Sequence, residues 1–344
     1  MAAATSTSGM SLRLLEITVD ARDAFELADL LAEREVQIHT RVEMPDEREV
    51  VRVVVPIEHT EALTDELTKH FGSSDRFRVV ILAVEAVLPK PEEPEEAPRE
   101  SDTEGASQPP PMRVSREELY EDVSSAADLT AVYLATVALS TIVAAAGLIR
   151  GDVAVIIGAM VIAPLLGPTV AFALGLTLGD TALARLAAKA SGAGVAVVMG
   201  LSMLIGLLFP VDPGVSELTA RTHVGLADIA IAMAAGSAGS LAYTTGLPTA
   251  IIGVMVAVAL LPPLVATGLL LGAGHEQLAA GSAVLVLVNF TCISLAAVGT
   301  FLIRRVRPRT WWEAEKAKKA TRVAVVSWLA LLAVLIGLIL LLDR

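Results

Sequence analysis

Prolines inside apolar runs are the residues of this chain whose type and spacing could do chemistry. Pro164, Gly167, Pro168 and Thr169 lie within the apolar stretch 156–176. A proline removes one backbone donor and frees a carbonyl oxygen, which hydrocarbon tolerates only where protein or trapped water satisfies it. A half-helix that begins at Pro168 would also direct the positive end of its dipole into the protein interior. Freed carbonyls and helix ends of this kind can bind a small solute or an ion.

The same pattern returns 95 residues later in the chain. Residues 251–271 match the stretch 156–176 at twelve of twenty-one aligned positions, whereas a biased apolar alphabet would give only about three or four matches. The repeat aligns Pro263, which follows Pro262, with Pro168. This agreement predicts an internal duplication with two interrupted helices. The alternative interpretation is that the prolines only shape helix packing.

Few polar residues accompany these prolines. Asn289 stands out, because an amide deep in an apolar run needs partners, and the carbonyls freed at Pro262 and Pro263 could supply them. Other polar residues could line a path or simply hydrogen-bond between helices: Ser140, Thr141, Thr169, Ser237, Ser240, Tyr243, Thr244, Thr245, Thr267, Thr291 and Ser294. The predicted substrate path consists of the following residues: Pro164, Gly167, Pro168, Thr169, Pro262, Pro263 and Asn289.

Several classes of function find no support in the sequence. No phosphate loop, metal cluster or nucleophile–base constellation is recognisable, so we expect neither an enzyme nor a bound cofactor or metal. The acidic residues near the apolar runs fall at their predicted ends, which weakens any proton-relay hypothesis. A net charge of −12 argues against nucleic acid as a partner. The single cysteine, Cys292, permits no intramolecular disulfide.

The elements that must position these residues follow from an uneven distribution of apolar residues. The chain is 54% hydrophobic, which is high for a soluble protein. Residues 1–125 are charged and mixed, whereas 128–304 and 323–342 carry almost no charge. This distribution predicts a soluble head followed by a membrane domain, so the lipid bilayer is an expected partner.

The predicted head covers residues 11–88 and has the element order βαββαβ. Alternating apolar residues indicate strands, and two helical periods separate them. This order is typical of a ferredoxin-like or ACT-like α+β domain. Such a domain could bind a regulatory ligand, hold two copies together as a homo-oligomer, or act as a structural cap. Residues 89–127 read as an acidic, proline-rich disordered linker followed by a short interfacial helix.

The membrane domain is predicted to comprise seven spans. An inverted repeat occupies spans one to six in residues 128–304, a basic loop follows at 305–322, and the seventh span lies in 323–344. The individual spans are approximately 129–149, 153–178, 183–209, 225–245, 249–271, 279–303 and 323–342.

The basic loop sets the predicted orientation in the membrane. By the positive-inside rule it is cytoplasmic, which also places the head in the cytoplasm and the protein in the inner (plasma) membrane. Span five comes three spans after span two, so the two cross in opposite directions and the halves form a 3+3 inverted repeat. The sequence therefore predicts a transporter or channel for a small solute or ion. The alternative from another class is a membrane sensor or scaffold that transports nothing.

The motifs in this region resemble a known family. The run GLIRGDVAVIIGAMVIAPLLGPTVAFALGLTLGD at 147–180, with the later AGSAGSLA, GVMVAVALLPPLVATGLLL and VLVLVNFTCI, is similar to the domain of unknown function 389 family of bacterial and archaeal membrane proteins. The head resembles the N-terminal region of one branch of that family. The resemblance implies the architecture described above, and it carries over no activity and no functional residue.

Overall fold

A computed structural model describes residues 12–34, 36, 38–84, 114–246, 249–308 and 311–342, with the backbone alone given at some positions, including 249–258. The chain divides into two compact units, the first ending at Glu118 and the second beginning at Leu119. Most of the linker predicted at 89–127 lies outside the described residues.

The first unit contains a four-stranded antiparallel sheet and two main helices. In chain order the elements are β1 (Leu12–Asp20), a short 3-10 turn (Ala21–Asp23), α1 (Ala24–Glu33), β2 (Ile38–Glu43), β3 (Arg48–Pro56), α2 (Ile57–Phe71) and β4 (Arg78–Val84). The sheet order is β2-β3-β1-β4, and every neighbouring pair is antiparallel. The predicted order of strands and helices is therefore the observed one.

Alternation of side chains along the central strands creates the core of this unit. Ile17 on β1 and Val53 on β3 are fully buried on the same face of the sheet. Helix α1 contributes Leu27 and Leu31, and α2 contributes Leu67, to the same cluster. One face of the sheet is thus covered by helices.

The second unit is built from helices. They follow α3 (Arg116–Ser125), which starts in the first unit, and they are α4 (Ala131–Arg150), α5 (Val153–Ile162), α6 (Leu166–Leu178), α7 (Thr181–Leu208), α8 (Ser216–Thr219), α9 (Leu226–Thr245), α10 (Thr249–Gly272), α11 (Glu276–Ile303) and α12 (Trp311–Leu342). The helix α3 lies where the sequence predicts a short helix after the linker, and its position at the membrane interface stays a prediction.

Local signals in the sequence explain where several of these helices begin and end. The carboxylates of Asp152 and Asp180 accept hydrogen bonds from the second and third backbone amides of α5 and α7. Helices α4 and α6 end at Gly151 and Gly179, whose φ angles of 66° and 71° lie in the left-handed region that glycine tolerates. These caps produce the tight connections that the short linking sequences require.

Within the described residues, five helices are long and apolar enough to cross a membrane: α4, α7, α9, α11 and the 317–337 part of α12. Helices α5 and α6 together form a sixth candidate, bent by 50° at the residues between them. In α10 the residues with described side chains, Ala259–Gly272, form a shorter apolar helix. The number of seven spans remains a prediction.

The prediction that a second helix is interrupted at Pro262 and Pro263 is wrong. Helix α10 runs without a break through Pro262 and Pro263, whereas the first interruption is present between α5 and α6. The physical reason lies in the neighbouring helix, α11. As shown below, a side chain of α11 donates to the carbonyl oxygen that Pro263 frees, so this oxygen has a partner without a break in α10.

Candidate functional site

The interruption between α5 and α6 lies at residues 163–165. Helix α5 ends with a hydrogen bond of 3.2 Å from Ala163 N to Ala159 O. The hydroxyl of Ser140 on α4 donates to the same oxygen over 2.6 Å. Ala163 and Leu165 are buried, and Pro164 is half-buried. A side chain of a neighbouring helix thus stabilises the end of α5 inside the protein.

The first turn of α6 contains the other residues predicted for this segment. Helix α6 begins at Leu166, two residues before the predicted start at Pro168. Gly167 is closely packed, because a Cβ atom there would lie 2.5 Å from the carbonyl oxygen of Ala126. The buried Thr169 hydroxyl donates to Leu165 O over 3.0 Å, within its own chain segment. In this conformation the hydroxyl stabilises the start of α6.

The corresponding segment of α10 has a different arrangement. Pro263 has no N–H, so the carbonyl oxygen of Ala259, four residues earlier, loses its normal helical donor. The side-chain amide of Asn289 on α11 donates to this oxygen over 2.6 Å, and Asn289 is only 5% exposed. The contact between Asn289 and a carbonyl freed by the proline pair is the one that the sequence indicated.

A second carbonyl oxygen in this segment, that of Pro263, accepts hydrogen bonds from two side chains. The oxygen of Pro263 accepts hydrogen bonds from Thr267 Oγ1 in α10 and from Ser282 Oγ in α11, both over 2.8 Å. Sequence reasoning missed Ser282. A hydroxyl in an apolar run is a weak signal, because most such hydroxyls bond to a carbonyl of their own helix.

The remaining polar residues of the helices illustrate that rule. Thr141, Ser240 and Thr291 donate to carbonyls three or four residues earlier in their own helices. The Ser294 hydroxyl is fully buried and has no hydrogen-bond partner among the described residues. Most of the hydroxyls predicted to line a path therefore stabilise backbone in this conformation.

The helices that carry the two proline segments are neighbours. Helix α10 packs against α5 and α6, and α11 packs against α6 as well as α10. The candidate site consequently consists of backbone carbonyl oxygens, hydroxyls and one amide on adjacent helices. Within the described residues no group of three or more histidine, cysteine, aspartate or glutamate side chains could hold a metal ion.

Tyr120 on α3 and Asp180, which precedes α7, form a hydrogen-bonded pair of titratable groups. Tyr120 Oη donates to Asp180 over 2.8 Å. Burial raises the pKa of Tyr120, and this bond and the neighbouring negative charges raise it further, to about 12. Burial also raises the pKa of Asp180, but hydrogen bonds from Leu183 N, Tyr120 Oη and Ala182 N outweigh burial and leave the pKa below its ordinary value.

These features define a class: a mostly α-helical protein whose long apolar helices are compatible with a membrane, with a small antiparallel-sheet unit near its N-terminus. The chain belongs to the domain of unknown function 389 family, as its motifs indicated. The model of that family matches residues 160–295, which include both proline segments and Asn289. An uncharacterised protein of Methanocaldococcus jannaschii is 33% identical over 330 residues, covering 96% of this chain and 99% of that protein. No solved structure gives a significant match.

Proposed function

We propose that this protein is a seven-span transporter or channel for a small solute or ion and has no enzymatic activity. Its membrane domain is a 3+3 inverted repeat, and its ferredoxin-like head lies in the cytoplasm and regulates or dimerises the protein. The observation that carries the proposal is the proline segment of α10, in which Asn289 bonds the carbonyl oxygen freed by Pro263. Interrupted helices in inverted halves are typical of substrate sites in transporters. Here the break between α5 and α6 and the carbonyl oxygen of Ala259, freed within a continuous α10, lie at corresponding positions of the repeat.

The helix bounds support the duplication. Helix α4 begins at 131 and ends at 150, and α9 begins at 226 and ends at 245, a shift of 95 residues at both ends. Helices α7 and α11 differ by the same shift, from 181 to 276 and from 208 to 303. The four glycines with positive φ among the described residues also form two such pairs, Gly151 with Gly246 and Gly179 with Gly274.

The packing of the halves supports their relation by a two-fold axis. With the shift of 95 residues, α6 corresponds to α10 and α7 to α11. Helix α10 packs against α7, and α6 packs against α11. If the two halves are exchanged, α10 becomes α6 and α7 becomes α11, so the first contact becomes the second. A two-fold relation between the halves requires this. Together with the opposite directions predicted for spans two and five, this exchange favours an inverted repeat.

The chemistry of the proposed site would allow a passing solute or ion to take the place of side chains that bond the carbonyl oxygens of α10. The carbonyl oxygens of Ala259 and Pro263 accept from side chains of α11 rather than only from their own helix. A passing solute or cation can replace Asn289 or Ser282 at these oxygens. The groups available are neutral, which fits a small polar solute or a cation that carbonyl oxygens coordinate.

The sheet order of the head supports the ferredoxin-like assignment. Two βαβ halves interleave so that the first and third strands are central and β2 and β4 lie at the edges. Both helices contribute to a single core on one face. Domains of this kind act as binding or dimerising modules in many proteins, and the role of this head is part of the proposal.

The transport proposal is tested with the full-length protein in proteoliposomes. Shrinkage and re-swelling after mixing with glycerol, urea, NaCl or KCl report which of these probes crosses the membrane. We expect Asn289→Ala to change the rate for a permeant probe at least about tenfold, which corresponds to a change of about 1.4 kcal/mol in the activation free energy. Thr291→Ala, on the same helix, removes only a bond within α11 and serves as the matched control.

Two results would contradict the transport proposal. The first is a rate equal to that of protein-free vesicles for all four probes. The second is a rate that Asn289→Ala leaves unchanged. Either result favours a membrane sensor or scaffold, a function with which the internal bonding of most helix hydroxyls is also compatible.

A further inference from the structure

The strand β4 forms one edge of the sheet in the first unit. Over the described residues it pairs only with β1, in an unbroken register from Leu12 opposite Val84 to Thr18 opposite Arg78. The backbone N–H and C=O groups on its other side therefore form a ladder that a further strand can join.

The side chains of β4 leave this edge unprotected. Arg78, at its first position, is the only charged residue in the strand RVVILAV, which contains no proline and no bulge. On the face away from the helices Val80 is 39% exposed and Leu82 is 46% exposed. Natural sheets usually protect an edge with charges, prolines or bulges, because an apolar, regular edge pairs with other chains.

The opposite edge of the same sheet has that protection. Strand β2 contains Arg41, which is ion-paired with Glu49, and it ends at Glu43. Its register with β3 shifts between Ile38 and Thr40. The guanidinium of Arg41 also lies over the ring of the exposed Phe25, 5.6 Å from its centre. Within the part of the chain that the structure describes, β2 therefore carries several features that protect an edge, whereas β4 carries only the charge of Arg78.

We infer that β4 pairs antiparallel with β4 of a second copy of this chain, so that two heads share one eight-stranded sheet. A two-fold axis at Ile81 places Val80 opposite Leu82 of the partner subunit, an apolar cross-strand pair of the favourable kind. The same axis places the two copies of Arg78 at opposite ends of the paired strands, so that like charges do not meet. The strand is in this sense complementary to itself.

The linker of the same chain is a poor alternative occupant of this edge. Its residues 89–112 contain seven prolines, and the longest stretch without one, RESDTEGASQ, is polar and contains glycine. Prolines cannot donate to a ladder, and Asp, Gly and Glu are depleted in strands. A second copy of β4, with β-branched and leucine side chains, fits the apolar edge better.

Attachment to a membrane helps such a pairing. Heads attached to one bilayer face meet at a raised effective concentration, which adds to the affinity of the strand pairing itself. The inference rests on the proposed role of the head as a dimerising module, and it is independent of transport.

The test measures the mass of the full-length protein in detergent micelles by size exclusion with light scattering. We expect a dimer that Leu82→Lys converts to monomer, with a dissociation constant raised at least tenfold. Val42→Lys is the matched control, because Val42 is 47% exposed on the protected edge strand β2. Circular dichroism of both variants checks that the head has folded. A monomeric wild-type protein, or equal effects of the two variants, would overturn the inference.

A disulfide test locates the axis. In a Cys292→Ser background, which removes the single native cysteine, Ile81→Cys is expected to form a cross-linked dimer under mild oxidation. The same assay with Leu82→Cys and Val80→Cys tests neighbouring registers, and absence of cross-linking at all three positions would overturn the pairing of β4. Flux measured on Leu82→Lys separates the pairing of β4 from the transport proposal. A monomeric variant with intact flux shows that transport does not need the dimer, and it contradicts neither proposal.

Discussion

Asn289 shows how one side chain can stabilise a helix that contains two consecutive prolines. Its amide bonds the carbonyl of Ala259, and Ser282 bonds the carbonyl of Pro263 from the same neighbouring helix. An unsatisfied carbonyl inside an apolar protein costs several kcal/mol, on the order of 2–7 kcal/mol relative to water. At the scale of single residues, the prolines of α10 and the polar residues of α11 therefore form one unit.

This coupling predicts the outcome of a double-mutant cycle. Asn289→Ala should lower the free energy of unfolding by about 1–2 kcal/mol, because Ala259 O loses its donor. In a Pro263→Ala background the residue at 263 has a backbone N–H that can bond Ala259 O, so the cost of Asn289→Ala should fall below about 0.5 kcal/mol. Reversible unfolding in mixed micelles measures all four proteins. An equal cost in both backgrounds would show that the two residues act independently.

The pair Tyr120 and Asp180 predicts a dependence of stability on pH. The pKa of Asp180 is lowered on balance, so its contribution is present above the ordinary pKa of an aspartate and is lost as the pH falls through the lowered value. The pKa of Tyr120 is raised, so its contribution is present below the ordinary value and is lost as the pH rises through about 12. Tyr120→Phe should therefore shift acid unfolding, followed by circular dichroism, to higher pH. An unchanged acid transition would contradict this role of the pair.

At the scale of elements, glycines determine how closely the central helices approach. A Cβ atom at Gly206 of α7 would overlap the carbonyl oxygen of Leu269, and one at Gly272 of α10 would overlap that of Met203. Helices α9 and α11 also approach closely, because Gly236 of α9 faces the backbone of Ile293 in α11. Small residues allow backbones to approach in this way, which is a general feature of helix packing in membranes.

A pair of substitutions in α7 tests the importance of that approach. Gly206→Ala should lower the free energy of unfolding by about 1–3 kcal/mol, because α7 and α10 must separate. Gly200→Ala in the same helix meets no atom within 4 Å and should be neutral or stabilising, by up to about 1 kcal/mol. Thermal unfolding of the two variants measures the difference. Equal effects would mean that close packing of α7 on α10 contributes little.

At the scale of the whole molecule, the charge distribution predicts the orientation in the membrane. Residues 304–322 contain eight lysines and arginines. The sequence predicts a loop at 305–322, but the structure has helix α12 from Trp311 onward, so most of this basic segment forms the first turns of α12. The positive-inside rule places this segment in the cytoplasm, and the predicted seven spans then place the head in the cytoplasm and the C-terminus outside.

Reporter fusions test this orientation. A fluorescent protein at the N-terminus or inserted in 304–322 should fluoresce, because both sites are predicted to be cytoplasmic. Alkaline phosphatase inserted between Pro213 and Gly225 should be active, because that loop is predicted to lie outside. Phosphatase activity at 304–322 would contradict the predicted orientation.

Much of the architecture was predictable because local patterns determine it. Alternating apolar residues gave the order of strands in the head, and long apolar runs gave the positions of the helices. The bend after α5 was predictable as well, since Pro164 cannot continue the hydrogen-bonding of α5. The start of α6 was displaced by two residues, because a proline fits within the first turn of a helix.

The sequence by itself determined the family, the duplicated motif and the segments that form helices, because each is encoded in residues close together in the chain. Only the tertiary structure decided the conformation at the second proline pair. Pro262 and Pro263 predict an interruption when α10 is considered alone, yet α10 remains continuous. Asn289 of α11 bonds the carbonyl oxygen that Pro263 frees, and Ser282 adds a bond to the carbonyl of Pro263 itself. Residues distant in sequence supply those bonds, and no pattern within α10 contains them.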